Sequence, residues 1–321
     1  MKQVWKDLGL AVLLGLVLPG LLLHLAVKYG RPDQQTPIGN QTTEATTEPA
    51  GKRIPVLTDG NEVVEMELES YLVGVLLAEM PASFEMEALK AQAVVARTYT
   101  IRSEAHSKHD GAVVCTDSSC CQGYRSPEDY ISLGGKNESI EKMQQAVSET
   151  DDFVLTYEGQ LIEATYFSCS GGMTEDAVAV WGTDVPYLQA VSSPGEEKAT
   201  HFADEQVFSL EEICEILQID AAKLTGNLFG KATYTAGGGV ESILVNGQQM
   251  KGTDLRKLLG LRSTAFTVSE LDGKIKFNTR GFGHRVGMSQ YGADAMAMDG
   301  STFDQILAYY YRGTALQKLS D

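Results

Sequence analysis

Two helical patterns that meet at a proline constrain the fold of this chain more than any other feature. Apolar residues recur at helical spacing over 68–78 and again over 89–100. Pro81 disfavours helical geometry in the residue before it, so the first helix is expected to end near Glu79. The second helix can begin after Ser83. Two consecutive helices with a short break between them are therefore predicted.

Glu79 occupies an unfavourable place for a charged carboxylate in this pattern. It follows an almost wholly apolar run and lies at the C-terminal end of a helix. The partial negative charge of that helix end and the loss of solvent both raise a carboxyl pKa. A raised pKa suits a general acid that works near neutral pH. The alternative, common for glutamates at helix ends, is a solvated side chain without a chemical role.

Composition restricts the class of protein. The chain has 321 residues, of which 43% are hydrophobic, and it can bury a large core in one or two domains. Its formal net charge of -17 argues against nucleic acid as a partner, because nucleic-acid recognition needs a basic face. The same charge provides no long-range attraction to an anionic polymer. If such a polymer were the ligand, it would have to be bound by local hydrogen bonds and stacking.

The N-terminal region predicts a membrane-anchored protein. Residues 8–27 form an apolar stretch long enough to span a bilayer, with basic residues on both sides. We expect residues 1–27 to be a cytoplasmic stub with a transmembrane signal anchor, and residues 28–53 to be a polar linker. Residues 54–321 would then form the extracytoplasmic domain of a single-pass protein of the cell membrane. A cleaved signal peptide is the alternative for the apolar stretch.

The remaining patterns mix helices with strands and predict an α+β fold. Alternating segments around short turns indicate hairpins over 153–167 and 265–279, and a strand over 240–245 that ends in an Asn-Gly turn. Helices are predicted over 138–147, 209–217, 253–259, 289–298 and 303–310. A mixed helix and sheet domain behind the anchor and linker is therefore expected.

A segment rich in cysteine and histidine follows the second helix. His109, Cys115 and Cys121 are spaced by six residues, and a loop that folds back can gather them as zinc ligands. Because neighbouring side chains tend to point in opposite directions, only one of Cys120 and Cys121 is expected to ligate. His106, Cys120 or water remains for the fourth position. The alternative is a disulfide between Cys115 and Cys121.

Two later segments have the composition of ligand-binding loops. Residues 168–172 follow a predicted strand with small residues that allow a ligand to approach the backbone. Residues 280–293 form a glycine-rich turn that leads into a helix and lacks the lysine of a phosphate-binding loop. Polar and aromatic side chains of these segments, and of a loop between them, are candidates for contact with a hydroxylated ligand. The candidates are Ser168, Ser170, Tyr187, His284, Gln290 and Tyr291.

Three ordered motifs together resemble the stage II sporulation protein D family, also called the amidase-enhancer family. The first covers residues 71–98, with Ala-Glu-Met-Pro at 78–81. The second is ATYFSCSGGMT at 164–174, and the third covers 280–293. The resemblance extends over about residues 55–315, and the anchor and linker match the sporulation branch of the family.

The resemblance implies an activity, partners and residue roles. Members of that branch are membrane-anchored lytic transglycosylases that trim peptidoglycan glycan strands during engulfment of the forespore. They act with a partner amidase or endopeptidase and a membrane scaffold. The family's catalytic glutamate falls on Glu79, and its nearby arginine falls on Arg97, which is expected to orient Glu79 or hold a substrate group. Arg285 departs from the pattern, because a glycine is common there.

The residues agree with this chemistry. Glu79 would protonate the leaving glycosidic oxygen and then take the proton of the muramic 6-hydroxyl, which gives a 1,6-anhydro end. A hydrolase needs a second carboxylate, and none stands out in the sequence. The Cys/His segment is not general to the family, and its distance from Glu79 along the chain suggests a structural role for zinc. The alternative function is a non-enzymatic glycan-binding module that activates an N-acetylmuramoyl-L-alanine amidase.

Overall fold

The computed structural model describes residues 51–224 and 226–319. They belong to one compact unit that begins at Gly51. The predicted anchor and nearly all of the predicted linker lie outside the described residues. Within the described ranges, no helix is both long and apolar enough to cross a membrane.

Helices and small sheets alternate along the chain. The α-helices are α1 (Leu68–Glu79), α2 (Met86–His106), α3 (Pro127–Ser132), α4 (Asn137–Ser148), α5 (Ala177–Trp181), α6 (Leu210–Ile216), α7 (Gly252–Leu259), α8 (Gln290–Met298) and α9 (Phe303–Tyr310). The strands are β1 (Arg53–Leu57), β2 (Val63–Glu67), β3 (Val114–Cys115), β4 (Phe153–Tyr157), β5 (Gln160–Leu161), β6 (Tyr166–Phe167), β7 (Ala203–Ser209), β8 (Phe229–Tyr234), β9 (Val240–Val245), β10 (Gln248–Lys251), β11 (Ala265–Leu271), β12 (Lys274–Arg280), β13 (Met288–Ser289) and β14 (Ala315–Lys318). The sheet orders are β2-β1-β3, β10-β9-β8, β11-β12-β7, β13-β6 and β14-β4-β5. The predicted mixed helix and sheet class is confirmed.

The two helices predicted around the proline both form. The Glu67 carboxylate caps α1 by accepting the backbone N–H of Ser70 at 2.6 Å, and α1 ends at Glu79. Beyond the break, the N–H of Glu85 donates to Asp294 Oδ1 of α8 at 2.7 Å. This contact supplies the cap that α2 lacks locally, because Glu85 makes no side-chain cap of its own.

Helix α2 forms the centre of the larger hydrophobic core. Its small residues, among them Ala91, Ala93 and Ala96, are fully buried and let neighbouring elements approach closely. Helices α1, α4, α8 and α9 and strand β4 pack against it. Removal of this apolar surface from water holds these elements together, including the end of α1 that carries Glu79.

A smaller core lies within residues 203–280, which separate the second and third motifs along the chain. We call these residues the insert subdomain. Its antiparallel sheet β11-β12-β7 and its meander β8-β9-β10 enclose the Phe277 ring, which makes edge contacts with Phe208, Phe229 and Phe266. The insert subdomain therefore has apolar packing of its own.

The hairpin predicted over 153–167 forms only in part. Strand β4 pairs with β5 over two residues, after which the chain leaves this sheet. Tyr166 and Phe167 of β6 pair instead in parallel with Met288 and Ser289 of β13. The sequence pattern gives no sign of this pairing, which brings the second and third motifs side by side.

Candidate active site

Glu79 lies in a groove with its side chain mostly buried. The backbone N–H of Gly123 donates to Glu79 Oε1 at 2.6 Å. The side chains of Tyr166 and Gln290 also face the carboxyl. Burial raises the pKa of Glu79 above its usual range, and these polar neighbours offset the rise only in part. The carboxyl therefore has a physical reason to hold its proton, and that reason is desolvation.

Two adjoining clefts make up the groove. The first cleft has a volume of about 340 Å³ and the second of about 460 Å³. Both are lined by Glu79, Ser168, Phe282 and Gln290, so they meet beside the carboxyl. Among the described residues that line the two clefts, Glu79 is the only carboxylic acid. A ligand that fills both clefts would pass Glu79 without meeting a second acid.

The three motifs each contribute one side of this groove. Helix α1 carries Glu79, Ser168 follows β6, and Gln290 begins α8. Ser289 caps α8 by accepting the N–H of Gly292 at 3.2 Å, which fixes the position of Gln290. Gln290 is 4% exposed, and its Nε2 has no hydrogen-bond partner in the part of the chain that the structure describes. A buried donor of this kind is available to a ligand.

His284 lines the first cleft as a neutral imidazole. Burial lowers its pKa to about 4. The N–H of Val286 donates to His284 Nδ1 at 3.1 Å, which leaves the ring proton on Nε2. The rings of Phe167 and Trp181 pack against the imidazole at centroid distances of 5.7 and 5.5 Å. This environment suits a hydrogen-bonding or positioning role, because the ring does not gain a proton near neutral pH.

Tyr291 lines the second cleft and helps to shape its wall. Its ring meets the edge of Phe84 at a centroid distance of 4.9 Å. Phe84 belongs to the break between α1 and α2, and Lys142 Nζ holds this break by donating to the carbonyls of Ala82 and Phe84 at 3.0 and 2.5 Å. The third motif therefore also supports the segment that follows Glu79.

Arg97 does not lie in the groove, in contrast to the substrate contact expected for it. It is fully buried on α2 and pairs with Glu69 of α1. Its guanidinium also donates to the carbonyls of Thr150 at 2.7 Å and Val147 at 3.2 Å, at the end of α4. These contacts join three helices, so Arg97 acts on Glu79 only by holding α1 in place.

Ser170 and Tyr187 also lie outside the two clefts. Ser170 is fully buried, and both its Oγ and its N–H donate to Glu196 Oε2, at 2.8 and 2.9 Å. The Tyr187 hydroxyl accepts the N–H of Glu163 at 3.0 Å. Because their polar groups are engaged within the protein, the structure does not support the substrate contacts predicted for these two residues.

Glu196, which no motif marks, organises the back of the groove. Its carboxylate is 1% exposed and accepts hydrogen bonds from three segments of the chain. The donors include Gly171 N–H at 2.9 Å, Ser193 Oγ at 2.6 Å and Ser289 Oγ at 2.5 Å. Since Ser289 caps α8, Glu196 ties the second motif to the helix that begins with Gln290.

Several residues around Glu79 and the groove were absent from the sequence prediction, among them Tyr166, Phe282 and Gly123. Tyr166 and Phe282 lie inside the second and third motifs. An aromatic side chain next to predicted site residues was the feature of the sequence that could have marked them. Gly123 contributes only a backbone N–H. No residue-type pattern can reveal such a contribution.

The Cys/His segment forms a cluster with the donor set of a metal site. The ligand atoms of His109, Cys115, Cys120 and Cys121 all lie within 4.8 Å of one another. His109 Nε2 lies 3.3 Å from Cys121 Sγ and 3.8 Å from Cys120 Sγ. A tetrahedral zinc ion bonded at about 2.0–2.3 Å needs its ligand atoms about 3.5–3.8 Å apart, so the cluster fits such a cation.

The structure bears on two points that the sequence left open. The N–H groups of Cys120 and Cys121 both donate to the carbonyl of Asp117, and this turn directs both thiols toward His109. Cys120, one of the candidates for the fourth position, is therefore in place to ligate together with Cys121. All five cysteines are free, so the alternative disulfide from Cys115 is not present in the structure.

The cluster adjoins the groove, although it is remote from Glu79 in sequence. Cys121 lines the first cleft, and Gly123, two residues further on, donates to the Glu79 carboxyl. The N–H of Arg125 then donates to the carbonyl of Gly74 on α1 at 3.0 Å. The loop that carries the cluster is thus fastened to the helix that carries the acid.

Fold and site together define a mixed helix and sheet protein whose groove, among the described residues that line it, holds Glu79 as its one carboxylic acid. A family model described as Stage II sporulation protein matches residues 58–157, which contain Glu79, Arg97 and the Cys/His cluster. The chain belongs to the stage II sporulation protein D family, as its similarity to whole relatives shows.

Curated relatives support this membership over nearly the full length. Stage II sporulation protein D of Bacillus subtilis (strain 168) is 36% identical, over 99% of this chain and 96% of its own length. The protein of the same name from Bacillus amyloliquefaciens is 36% identical, over 97% of this chain and 94% of its own. A protein named Amidase enhancer from Bacillus subtilis (strain 168) is 31% identical over 76% of this chain and 40% of its own length.

Proposed function

We propose that the chain is a lytic transglycosylase that cleaves the MurNAc–GlcNAc backbone of peptidoglycan and leaves 1,6-anhydro-MurNAc ends. The observation that carries the proposal is Glu79, the only carboxylic acid among the described residues that line the groove. Glycoside hydrolases generally place two carboxyl groups around the scissile bond. One acid suffices when a hydroxyl of the substrate replaces water.

In the reaction, Glu79 must donate one proton and then accept one. The protonated Glu79 carboxyl donates to the glycosidic oxygen while the bond between that oxygen and C1 of MurNAc breaks. The 6-hydroxyl of the same MurNAc then bonds to C1, and its proton passes to the Glu79 carboxylate. Atoms balance without water, and the acid is regenerated for the next cycle.

The groove supplies the positioning that such an intramolecular attack requires. The Gly123 N–H fixes one oxygen of Glu79, so the proton is presented in one direction. The Nε2 of Gln290, which has no hydrogen-bond partner among the described residues, can donate to a sugar hydroxyl or acetamido carbonyl beside the acid. Ser168 lines both clefts and Tyr291 lines the second, and both residues are assigned to glycan contact.

The names of the relatives suggest the biological setting. Two are named Stage II sporulation protein D and one Amidase enhancer. We therefore assign the activity to cell-wall remodelling during engulfment in sporulation, next to an amidase or endopeptidase and a membrane scaffold. The apolar stretch at residues 8–27 would anchor the chain in the cell membrane, with residues 54–321 outside the cytoplasm.

We assign the Cys/His cluster to a structural zinc ion. His109, Cys115, Cys120 and Cys121 would hold it, and it would cross-link the loop that leads to Gly123. The residues of this loop, rather than the ion, contact Glu79. No proton transfer in the proposed reaction passes through the cluster.

Digestion of peptide-stripped glycan strands tests the proposal. The full-length chain should release fragments with anhydro-muramyl ends, which mass spectrometry identifies as one water lighter than hydrolysis products. Glu79→Gln should release none, because the amide cannot donate an acidic proton. Glu62→Gln, which alters an exposed glutamate outside the groove, is the matched control and should remain active. Unchanged strands, or activity in Glu79→Gln, would overturn the proposal.

The rival function is that of a glycan-binding activator of an amidase. It is favoured by the relative named Amidase enhancer, which aligns with 76% of this chain. Both functions predict glycan binding, but the rival predicts intact glycan strands and a faster amidase reaction. Stimulation of the amidase that persists in Glu79→Gln, without strand cleavage by the unaltered chain, would favour the rival.

A further inference from the structure

Phe282 presents an apolar ring in a groove that is otherwise bordered by many polar groups. The side chain belongs to a residue that is 40% exposed, and it lines both clefts together with Glu79. Single exposed apolar side chains are common on protein surfaces, so it is the position of this ring beside Glu79 in both clefts, rather than its exposure alone, that points to a ligand.

The backbone holds this ring in one place. Gly281 and Gly283 both have positive φ, at 79° and 118°. A Cβ at Gly281 would lie 2.6 Å from the carbonyl oxygen of Ser170, so the close approach requires glycine. Phe282 N–H donates to the Cys169 carbonyl at 2.7 Å, and Cys169 N–H donates back to the Phe282 carbonyl at 3.2 Å. The ring therefore projects from a fixed turn.

The ring is supported by Arg262 of the insert subdomain and by His201, which lies just before it. The Arg262 guanidinium lies over the ring at 5.8 Å from its centroid, and the His201 ring meets it at 5.1 Å. Arg262 is itself paired with Asp204 at 3.3 Å. Its carbonyl accepts the N–H of Gly283 at 3.0 Å. With Arg262 over one face of the ring, the exposed remainder of Phe282 is left for the groove.

We propose that Phe282 is a stacking platform for one sugar ring of the glycan, next to the glycosidic bond whose oxygen Glu79 protonates. A pyranose has an apolar face of C–H groups, and a rigid aromatic ring binds such a face with little loss of side-chain freedom. The choice of a sugar as the ligand rests on the proposed function. The role of the ring as a platform rests on its exposure, its fixed turn and its support by Arg262.

This assignment gives the insert subdomain a part in recognition. Residues 203–280 contribute no residue to the first cleft. Through Arg262 they instead brace the side chain that faces the substrate. The insert subdomain thus acts on the groove by supporting Phe282.

Binding measurements in a chain that cannot turn over separate this proposal from catalysis. The full-length chain with Glu79→Gln is titrated calorimetrically with peptide-stripped glycan oligomers, with and without a second change at Phe282. Phe282→Tyr keeps the ring, whereas Phe282→Leu keeps an apolar side chain without it. Tyr234→Ala, which removes an aromatic residue that is 54% exposed and lines neither cleft, is the matched control.

We expect Phe282→Leu to bind about tenfold more weakly, while Phe282→Tyr and Tyr234→Ala stay within about twofold of the parent. Thermal unfolding checks that each variant is folded. Equal affinity for Phe282→Leu and the parent would overturn the platform, as would equal weakening by the leucine and tyrosine variants. Failure of the parent to bind glycans would overturn the ligand class and the proposed function together. Glycan binding without cleavage by the unaltered chain would overturn only the proposed function.

Discussion

At the scale of single residues, Glu79 combines burial with a hydrogen bond that its charged form prefers. Burial is the larger effect, so the pKa of the folded protein lies above that of the unfolded chain. The stability that this group contributes is complete below its unfolded pKa and is lost as pH rises through its folded pKa. At neutral pH, the buried Glu79 carboxyl therefore lowers the stability of the folded protein.

Replacement of Glu79 by glutamine should show this cost directly. The amide oxygen would still accept the Gly123 N–H, but the side chain would never become charged, so Glu79→Gln should be more stable than the parent at pH 8. The difference should shrink toward pH 4, where the parent carboxyl is protonated. Thermal unfolding of both chains at the two pH values measures it. A parent that gains stability over the variant as pH rises would contradict the burial argument.

At the scale of secondary-structure elements, the sequence correctly predicted helices whose start or end is signalled by neighbouring residues. The proline break ended α1 at Glu79, and α6 starts after Ser209 as predicted, where Ser209 and Glu212 form a capping box. The parallel pair of β6 and β13 has two residues in each strand, which is too short for any periodicity. Without that pair, the sequence could name Ser168 and Gln290 but could not place them beside the same acid.

Arg97 and Gly123 illustrate why the roles of some site residues could not be predicted from the sequence. Arg97 matched a family position, yet its partners come from α1 and from the end of α4, far along the chain. Gly123 acts through its backbone, and its effect depends on a loop that folds onto α1. Roles set by long-range packing leave no trace in local residue types.

Arg97→Lys distinguishes support of the helices from contact with substrate. Lysine cannot reproduce the forked contacts with Glu69 and the α4 carbonyls, so the free energy of unfolding should fall by about 3 kcal/mol. Arg102→Lys on the same helix, whose partner Glu163 lies 3.7 Å away near the surface, should cost less than about 1 kcal/mol. Urea unfolding gives both values. Weaker glycan binding by Arg97→Lys at unchanged stability would instead favour a substrate contact.

The loop that carries the Cys/His cluster offers a second test at this scale. The purified full-length chain should contain roughly one zinc ion per chain, and Cys121→Ser should lose most of it. Strand cleavage should fall with it, because the loop orders the Gly123 N–H against Glu79. Cys214→Ser alters a buried cysteine of the insert subdomain and should keep its metal. Equal metal content in the two variants, measured by elemental analysis, would remove the site.

At the scale of the whole molecule, a buried ion pair links the segments that carry the two hydrophobic cores. Arg285 lies 3.1 Å from Glu175 and donates to the carbonyl of Gly237 in the insert subdomain at 2.6 Å. Its φ of 67° lies in the left-handed region, where a glycine would be unstrained. A glycine is common at this position in the family that the chain resembles. In this chain an arginine takes the strained backbone conformation instead, and its side chain links the segments that carry the two cores.

Arg285→Gly tests whether the relief of backbone strain or the loss of the buried ion pair has the larger effect on stability. The strain it relieves is worth about 1–2 kcal/mol, whereas an unpaired Glu175 in the interior costs about 3–5 kcal/mol. The variant should therefore be less stable, by about 2 kcal/mol or more in urea unfolding. Glu158→Gly, at an exposed turn with φ of 50°, relieves strain without breaking a buried pair and should not destabilise the protein. A stabilised Arg285→Gly would show that the ion pair contributes little.

The net charge of -17 fits a molecule that recognises its ligand at short range. A groove with one acid, a free amide donor and an exposed aromatic ring depends on contact rather than on a long-range field. The central claim is that this groove cleaves glycans at a single acid without using water.

Digestion in water enriched in ¹⁸O tests that claim most directly. Peptide-stripped strands are incubated with the full-length chain, and the new ends are analysed by mass spectrometry. We expect anhydro-muramyl ends that carry no ¹⁸O, and no products at all from Glu79→Gln. Reducing ends that contain ¹⁸O would contradict it, because they would show that water attacks C1.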